Sequence, residues 1–236
     1  MNTPAACKAK NPALCPYHGS KFYSKERFLK ALAQLDSKTE FTFEEEDILD
    51  KKKYLREATA LRESLSDDEE SSIYLYTYQS HRIVNLWLED EKHWVPDGWP
   101  ELEQGIVQDL DAVISRHGKH QEEKTLYRGV GNPEVVKGLR KGSTFSMKSF
   151  VSTTSDPMWV TNFVDDKNPV ILKIRTRNGA PVSRNFPMEY EYLLGRDSTF
   201  KVTSVKKKVQ WILEGSDFIR KHSKQNVTVI ELTDVS

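Results

Sequence analysis

The spacing of apolar residues along the chain changes from helical to strand-like near residue 125. Before that point the apolar positions recur at three and four residues, which marks amphipathic helices. Phe28, Leu29, Leu32 and Leu35 predict a short helix over Ser24 to Leu35, with Ser24 as N-cap. Tyr54, Ala58, Leu61 and Leu65 form the stripe of a longer one within Phe43 to Leu65, and the remaining positions there are heavily charged. Ser66 to Glu70 reads as a polar break and places a domain boundary near 66–70. Beyond it, Tyr76, Ile83 and Trp87, flanked by Val84 and Leu88, predict a helix over Ser72 to Leu88. Leu102, Ile106, Leu110, Val113 and Ile114 predict another, which starts at Pro100 and ends near Gly118.

From Thr125 onward, β-rich runs bounded by Gly, Pro, Asn or Asp predict strands at 125–130, 149–153, 169–175, 191–194, 199–203 and 226–232. A short helix over Asp156 to Phe163, with Ser155 as cap, interrupts them. Helices first and strands afterwards is the pattern of an α+β fold. The 236 residues suffice for one good core, giving a catalytic-sized region at 70–236 and a charged, mostly helical N-terminal extension at 1–69.

Charge narrows the partners more than it defines the fold. Thirty-five basic residues balance thirty-five acidic ones, so no global field draws in nucleic acid or an anionic membrane. Lys206-Lys207-Lys208 is a local basic run only. No apolar stretch approaches a membrane span, and residues 1–19 lack the apolar segment of a secretory signal, so the expectation is a soluble protein with no general export signal. The two cysteines, Cys7 and Cys15, supply with His18 three candidate zinc ligands, one short of the four that a structural site takes. They serve equally as a local disulfide or a docking tag.

Chemistry concentrates at strand ends. Glu189 and Glu191 are separated by one residue, and in a strand such side chains share a face, with Tyr190 and Tyr192 opposite. Glu-x-Glu also occurs at Glu44, Glu89 and Glu101, so the pair gains meaning only from company. That company is Arg128 at one strand end and the Ser152-Thr153-Thr154 run in another.

Together, Tyr127-Arg-Gly129, Phe150-Val-Ser-Thr-Thr154 and Glu189-Tyr-Glu-Tyr-Leu-Leu-x-Arg196 resemble the R-S-E motifs of arginine-specific mono-ADP-ribosyltransferases, the group containing the catalytic chains of clostridial binary toxins. Tyr76-Thr77, Ser80 and Ile83-Val-Asn85 resemble that family's first helix, and Ser198 to Val202 its strand after the motif. The resemblance spans roughly 70–236. It implies two small packed β-sheets with flanking helices, NAD as co-substrate, no metal, and a target protein bearing an acceptor arginine, with the enzyme a monomer. It assigns Arg128 and Gly129 to NAD binding, and Ser152 to holding Glu191 and the nicotinamide ribose. Glu191 becomes the catalytic carboxylate at the sugar and Glu189 the carboxylate that prepares the acceptor. Phe163 is assigned to the nicotinamide and Phe186 to the incoming guanidinium, through a cation–π contact. Gly195 and Asp197 depart from the family's usual proline and glycine, a difference in the turn. An NAD glycohydrolase and a non-catalytic interaction protein on the same fold are the competing readings.

Overall fold

The computed structural model describes residues 50–89, 99–157, 159–165, 167–182, 189–213 and 223–236. The predicted helix at 24–35, Cys7, Cys15, His18 and Phe186 lie outside them.

Four α-helices precede the strands among the described residues. Helix α1, Lys51–Glu63, is capped by Asp50, whose carboxylate accepts from the N–H groups of Lys52 and Lys53. Its predicted stripe is its buried face: Tyr54, Ala58 and Leu61 are in the core. Helix α2, Asp67–Leu75, starts at a capping box formed by Ser66 and Glu69, so the polar break at 66–70 is a helix start. A π-helical turn, Tyr76–Ser80, joins α2 to α3, His81–Glu89. The His81 N–H reaches back five residues to the Tyr76 carbonyl. That extra residue rotates α3 about its axis, so Val84 takes the fully buried position and Ile83 does not. Helix α4, Trp99–His117, buries Ile106, Val107, Leu110 and Val113. Leu102, expected on that face, is 47% exposed, and the Glu103 side chain is buried in its stead.

Among the described residues eight strands come after the helices: β1 Lys119–Val130, β2 Thr144–Met147, β3 Val151–Thr154, β4 Val170–Asn178, β5 Ala180–Pro181, β6 Glu191–Leu194, β7 Ser198–Leu213 and β8 Ser223–Asp234. They are hydrogen-bonded in the order β2-β7-β8-β4-β1-β3-β6-β5, with β4 and β8 parallel and every other pair antiparallel. A single register pair, Tyr127 with Thr154, joins β1 to β3. In place of the two expected sheets there is one continuous sheet, with a five-stranded half and a three-stranded half on either side of that junction.

Strand β7 runs far past its predicted end, and a bulge between Lys206 and Val209, with Lys208 at φ +57°, lets the long ribbon bend. Lys206, from the basic run, pairs with Glu231 across the ribbon. Beyond the bulge Trp211 is buried, and its indole N–H donates to the Pro157 carbonyl at 3.0 Å. The ribbon thereby supports the 3₁₀ turn at Trp159–Phe163. That turn replaces the predicted helix, and its cap is Asp156 rather than Ser155: the Asp156 carboxylate accepts from the Trp159 N–H at 3.4 Å, while the Ser155 hydroxyl donates to the Tyr190 carbonyl.

Helix α1 belongs to the same compact unit as the sheet. Tyr54 and Ala58 pack with Tyr190, Tyr192 and Leu194 in one core cluster. Helices α2 to α4 form a second core with Phe150, Ala180, Val182 and Leu193. No helix among the described residues is long and apolar enough to cross a membrane.

Candidate active site

The adjacent strands β1, β3 and β6 carry Arg128, Ser152 and Glu191 respectively. Sheet pairing brings them together from positions far apart in the chain. Arg128 Nη1 donates to the Ser152 carbonyl at 2.8 Å, tying β1 to β3 beside their one register pair. The Ser152 hydroxyl favours the ionised form of both Glu191 and Tyr76. Tyr76 is fully buried in the helical core and donates to Asn85 Oδ1 at 3.1 Å, and Asn85 in turn donates to the Phe150 carbonyl. A hydrogen-bonded chain therefore runs from Tyr76 through Asn85 to the Phe150 carbonyl, two residues before Ser152.

Burial raises Glu191 to about 7, and the neighbouring Glu189 carboxylate adds to the rise, while the Ser152 hydroxyl and the Arg128 charge oppose it. Burial alone lifts Glu189 to about 6. Tyr76 is pushed up to about 12, chiefly by burial. Arg128 is lowered from its ordinary value by burial, which the carboxylates of Glu89 and Glu191 oppose. Two carboxylates that both titrate near neutrality, beside a guanidinium and a hydroxyl, suit chemistry that must hold positive charge and accept a proton at physiological pH.

The backbone at the glutamate pair differs from the expected strand. β6 begins at Glu191, and Tyr190 is left-handed at φ +45°. Glu189 precedes the strand rather than sharing a pleat with Glu191. The two carboxylates are nonetheless close enough to interact, and the rings of Tyr190 and Tyr192 both pack on Tyr54. A bulky residue with positive φ is unfavourable and needs to be held there.

Gly129 lies where a side chain has no room. A Cβ on it would stand 2.7 Å from the Phe163 carbonyl carbon and 2.8 Å from the Val160 carbonyl oxygen. This close approach seats the 3₁₀ turn directly on β1, one residue after Arg128. Phe163, at the end of the turn, is 48% exposed.

Tyr54, Tyr76 and Asn85 carry polar contacts to this site that sequence reasoning did not assign. Tyr54 was legible only as an apolar stripe position, and its hydroxyl gives no signal in a hydrophobic period. Tyr76 and Asn85 entered through the resemblance to the family's first helix, which gave neither of them a role.

The chain belongs to the ADP-ribosyltransferase exoenzyme family, whose family model matches residues 51–234. No curated protein sequence matches it. Its fold is similar to that of the enzymatic component C2-I of the C2 toxin from Clostridium botulinum, with a TM-score of 0.60 and 17% identity, over 76% of this chain and 46% of that one. It is also similar to BECa, an ADP-ribosylating toxin of a binary enterotoxin of C. perfringens, solved with NADH, with a TM-score of 0.62 and 20% identity over 81% of this chain and 49% of that one. The ADP-ribosyltransferase Vis, solved with agmatine, aligns with a TM-score of 0.56 and 15% identity over 84% and 89% of the two chains. The matched region thus spans about half the length of the binary-toxin components and most of Vis.

Proposed function

We propose that the protein transfers ADP-ribose from NAD to an arginine side chain of a target protein and releases nicotinamide. The observation that carries this reading is the half-buried Glu191 carboxylate, influenced by the Ser152 hydroxyl, the Arg128 guanidinium and Glu189 together. The NADH in BECa and the agmatine, a guanidino compound, in Vis support the same donor and acceptor classes.

In this reading Arg128 gives one N–H to β3 and offers the rest of its planar donor set to the pyrophosphate and ribose. Ser152 keeps the Glu191 carboxylate in place. Glu191 accepts a hydrogen bond from the ribose 2′-hydroxyl and stabilises the positive charge that develops as the bond between C1 and the nicotinamide nitrogen breaks, with the electron pair leaving on the ring nitrogen. A guanidinium is a poor nucleophile until it is oriented and loses a proton. Glu189, on the loop side of Tyr190, accepts that proton as a guanidino nitrogen bonds to C1. Phe163 lies against the nicotinamide and Phe186 against the guanidinium. The catalytic domain begins at α1 rather than at residue 70.

Incubation with labelled NAD and agmatine tests the assignment. The wild-type chain is expected to release nicotinamide and to form ADP-ribosyl-agmatine. Glu191→Gln abolishes both, by about a thousandfold or more, as removal of a transition-state charge partner does. Glu189→Gln loses agmatine transfer yet retains NAD hydrolysis. Full activity of Glu191→Gln overturns the mechanism, and equal loss of both activities in Glu189→Gln overturns the division of labour.

A further inference from the structure

Three successive carbonyl groups around the glutamate pair each have a donor. Thr154 Oγ1 donates to the Glu189 carbonyl at 2.6 Å, and the Ser155 N–H and hydroxyl donate to the Tyr190 carbonyl at 3.1 and 3.3 Å. The Glu191 carbonyl receives the Val182 N–H at 3.1 Å and the Tyr54 hydroxyl at 2.9 Å. Thr154 ends the neighbouring strand and Ser155 comes directly after it. Tyr54 comes from α1, 137 residues earlier in the chain.

The contact is more than one hydrogen bond. The Tyr54 ring meets Tyr190 edge-on at 5.4 Å and Tyr192 at 5.2 Å, with 2% of the residue exposed. One helical turn on, the Glu57 carboxylate accepts from the Tyr192 hydroxyl at 2.6 Å and from Lys124 Nζ at 3.0 Å, and Lys124 lies over the Tyr192 ring. Helix α1 therefore grips both tyrosines that flank Glu191, together with the main chain of Glu191 itself. It does so where the left-handed Tyr190 most needs support.

We propose that Tyr54 is a positioning residue for Glu191: its hydroxyl and ring fix the main chain of the glutamate pair from behind and so set the direction and surroundings of the Glu191 carboxylate. This inference rests on the transferase reading of Glu191. It also gives α1 a part in the reaction in addition to its part in the core.

Tyr54→Phe keeps the ring contacts and removes the donor, and the Glu191 carbonyl keeps the Val182 N–H, so the fold survives. With the full chain, the kcat for nicotinamide release is expected to fall about three- to tenfold, the effect of one hydrogen bond, with the KM for NAD within about twofold of wild type. The groups that face Glu191, namely Glu189, Ser152, Arg128 and Tyr76, are unchanged in the variant. A loosened carboxylate gains water, so the acid limb of the pH–rate profile moves to lower pH. Lys53→Ala, on the same helix in an exposed pair with Glu122, keeps the wild-type kcat and profile. Wild-type kcat and pH profile in Tyr54→Phe overturn the role of Tyr54 and leave the transferase reading standing. Equal losses in Tyr54→Phe and Lys53→Ala also overturn it, since only the docking of α1 would then matter. A wild-type chain that releases no nicotinamide overturns the transferase reading, and this inference with it.

Discussion

Glu191 is held between opposing influences. Burial and Glu189 favour the protonated acid, and Ser152 and Arg128 favour the carboxylate, leaving it near 7. Because its folded pKa lies above the unfolded value, the fold binds the extra proton, and stability is lost as pH rises from about 4.5 through 7. Glu191→Gln removes that penalty. The variant is expected to match wild type in thermal unfolding near pH 4.5 and to be more stable by on the order of 2 kcal/mol at pH 8, read as a rise in Tm. A pH-independent difference would place the carboxylate in water. The site was legible in the sequence where it consists of residue types with few other uses in such company: an Arg-Gly at a strand end, a Ser-Thr-Thr run and a Glu-x-Glu pair. The left-handed Tyr190 was not legible, because alternation of polar and apolar residues describes a pleat and Tyr190 interrupts it.

Among the elements, the 3₁₀ turn at Trp159–Phe163 depends on its two supports, Gly129 beneath it and Trp211 beside it. Gly129→Ala would force the carbonyls of Phe163 and Val160 off β1. The expected result is a KM for NAD raised about tenfold with a smaller change in kcat, since a displacement of about 1 Å at a substrate-positioning element costs on that scale. Steady-state kinetics with NAD varied checks this, and an unchanged KM would separate the turn from the donor site. Helices were readable where one stripe continued, as in α1. Reading failed where a backbone irregularity changed the phase, as at the π-helical turn before Val84. Strands were placed by their β-branched cores, but their ends were not. β7 continues through three lysines because its partner β8 supplies the pairing, and the short strands β2 and β5 are strands only through their neighbours β7 and β6.

Among the described residues, the two halves of the sheet meet at one residue pair, and the candidate groups Arg128 and Ser152 sit at that seam. A charge-rich helix such as α1 reads as a solvated arm, and only its packing against Tyr190 and Tyr192 shows otherwise. A chain starting at residue 70 would lack Tyr54, Ala58 and Leu61 and leave both tyrosines uncovered. It is expected to lose on the order of 5 kcal/mol, a large share of a domain's net stability, together with nicotinamide release, whereas a chain starting at residue 50 retains both. Urea midpoints and activity of the two truncations decide between a catalytic unit that includes α1 and one that begins after it. The left-handed Tyr190 has a further consequence on the scale of evolution. Because the strand begins after it, Glu191 is anchored in the sheet and Glu189 stands outside it. If the proposed division of labour holds, changes around Glu189 alter the choice of acceptor while the donor chemistry at Glu191 is inherited intact.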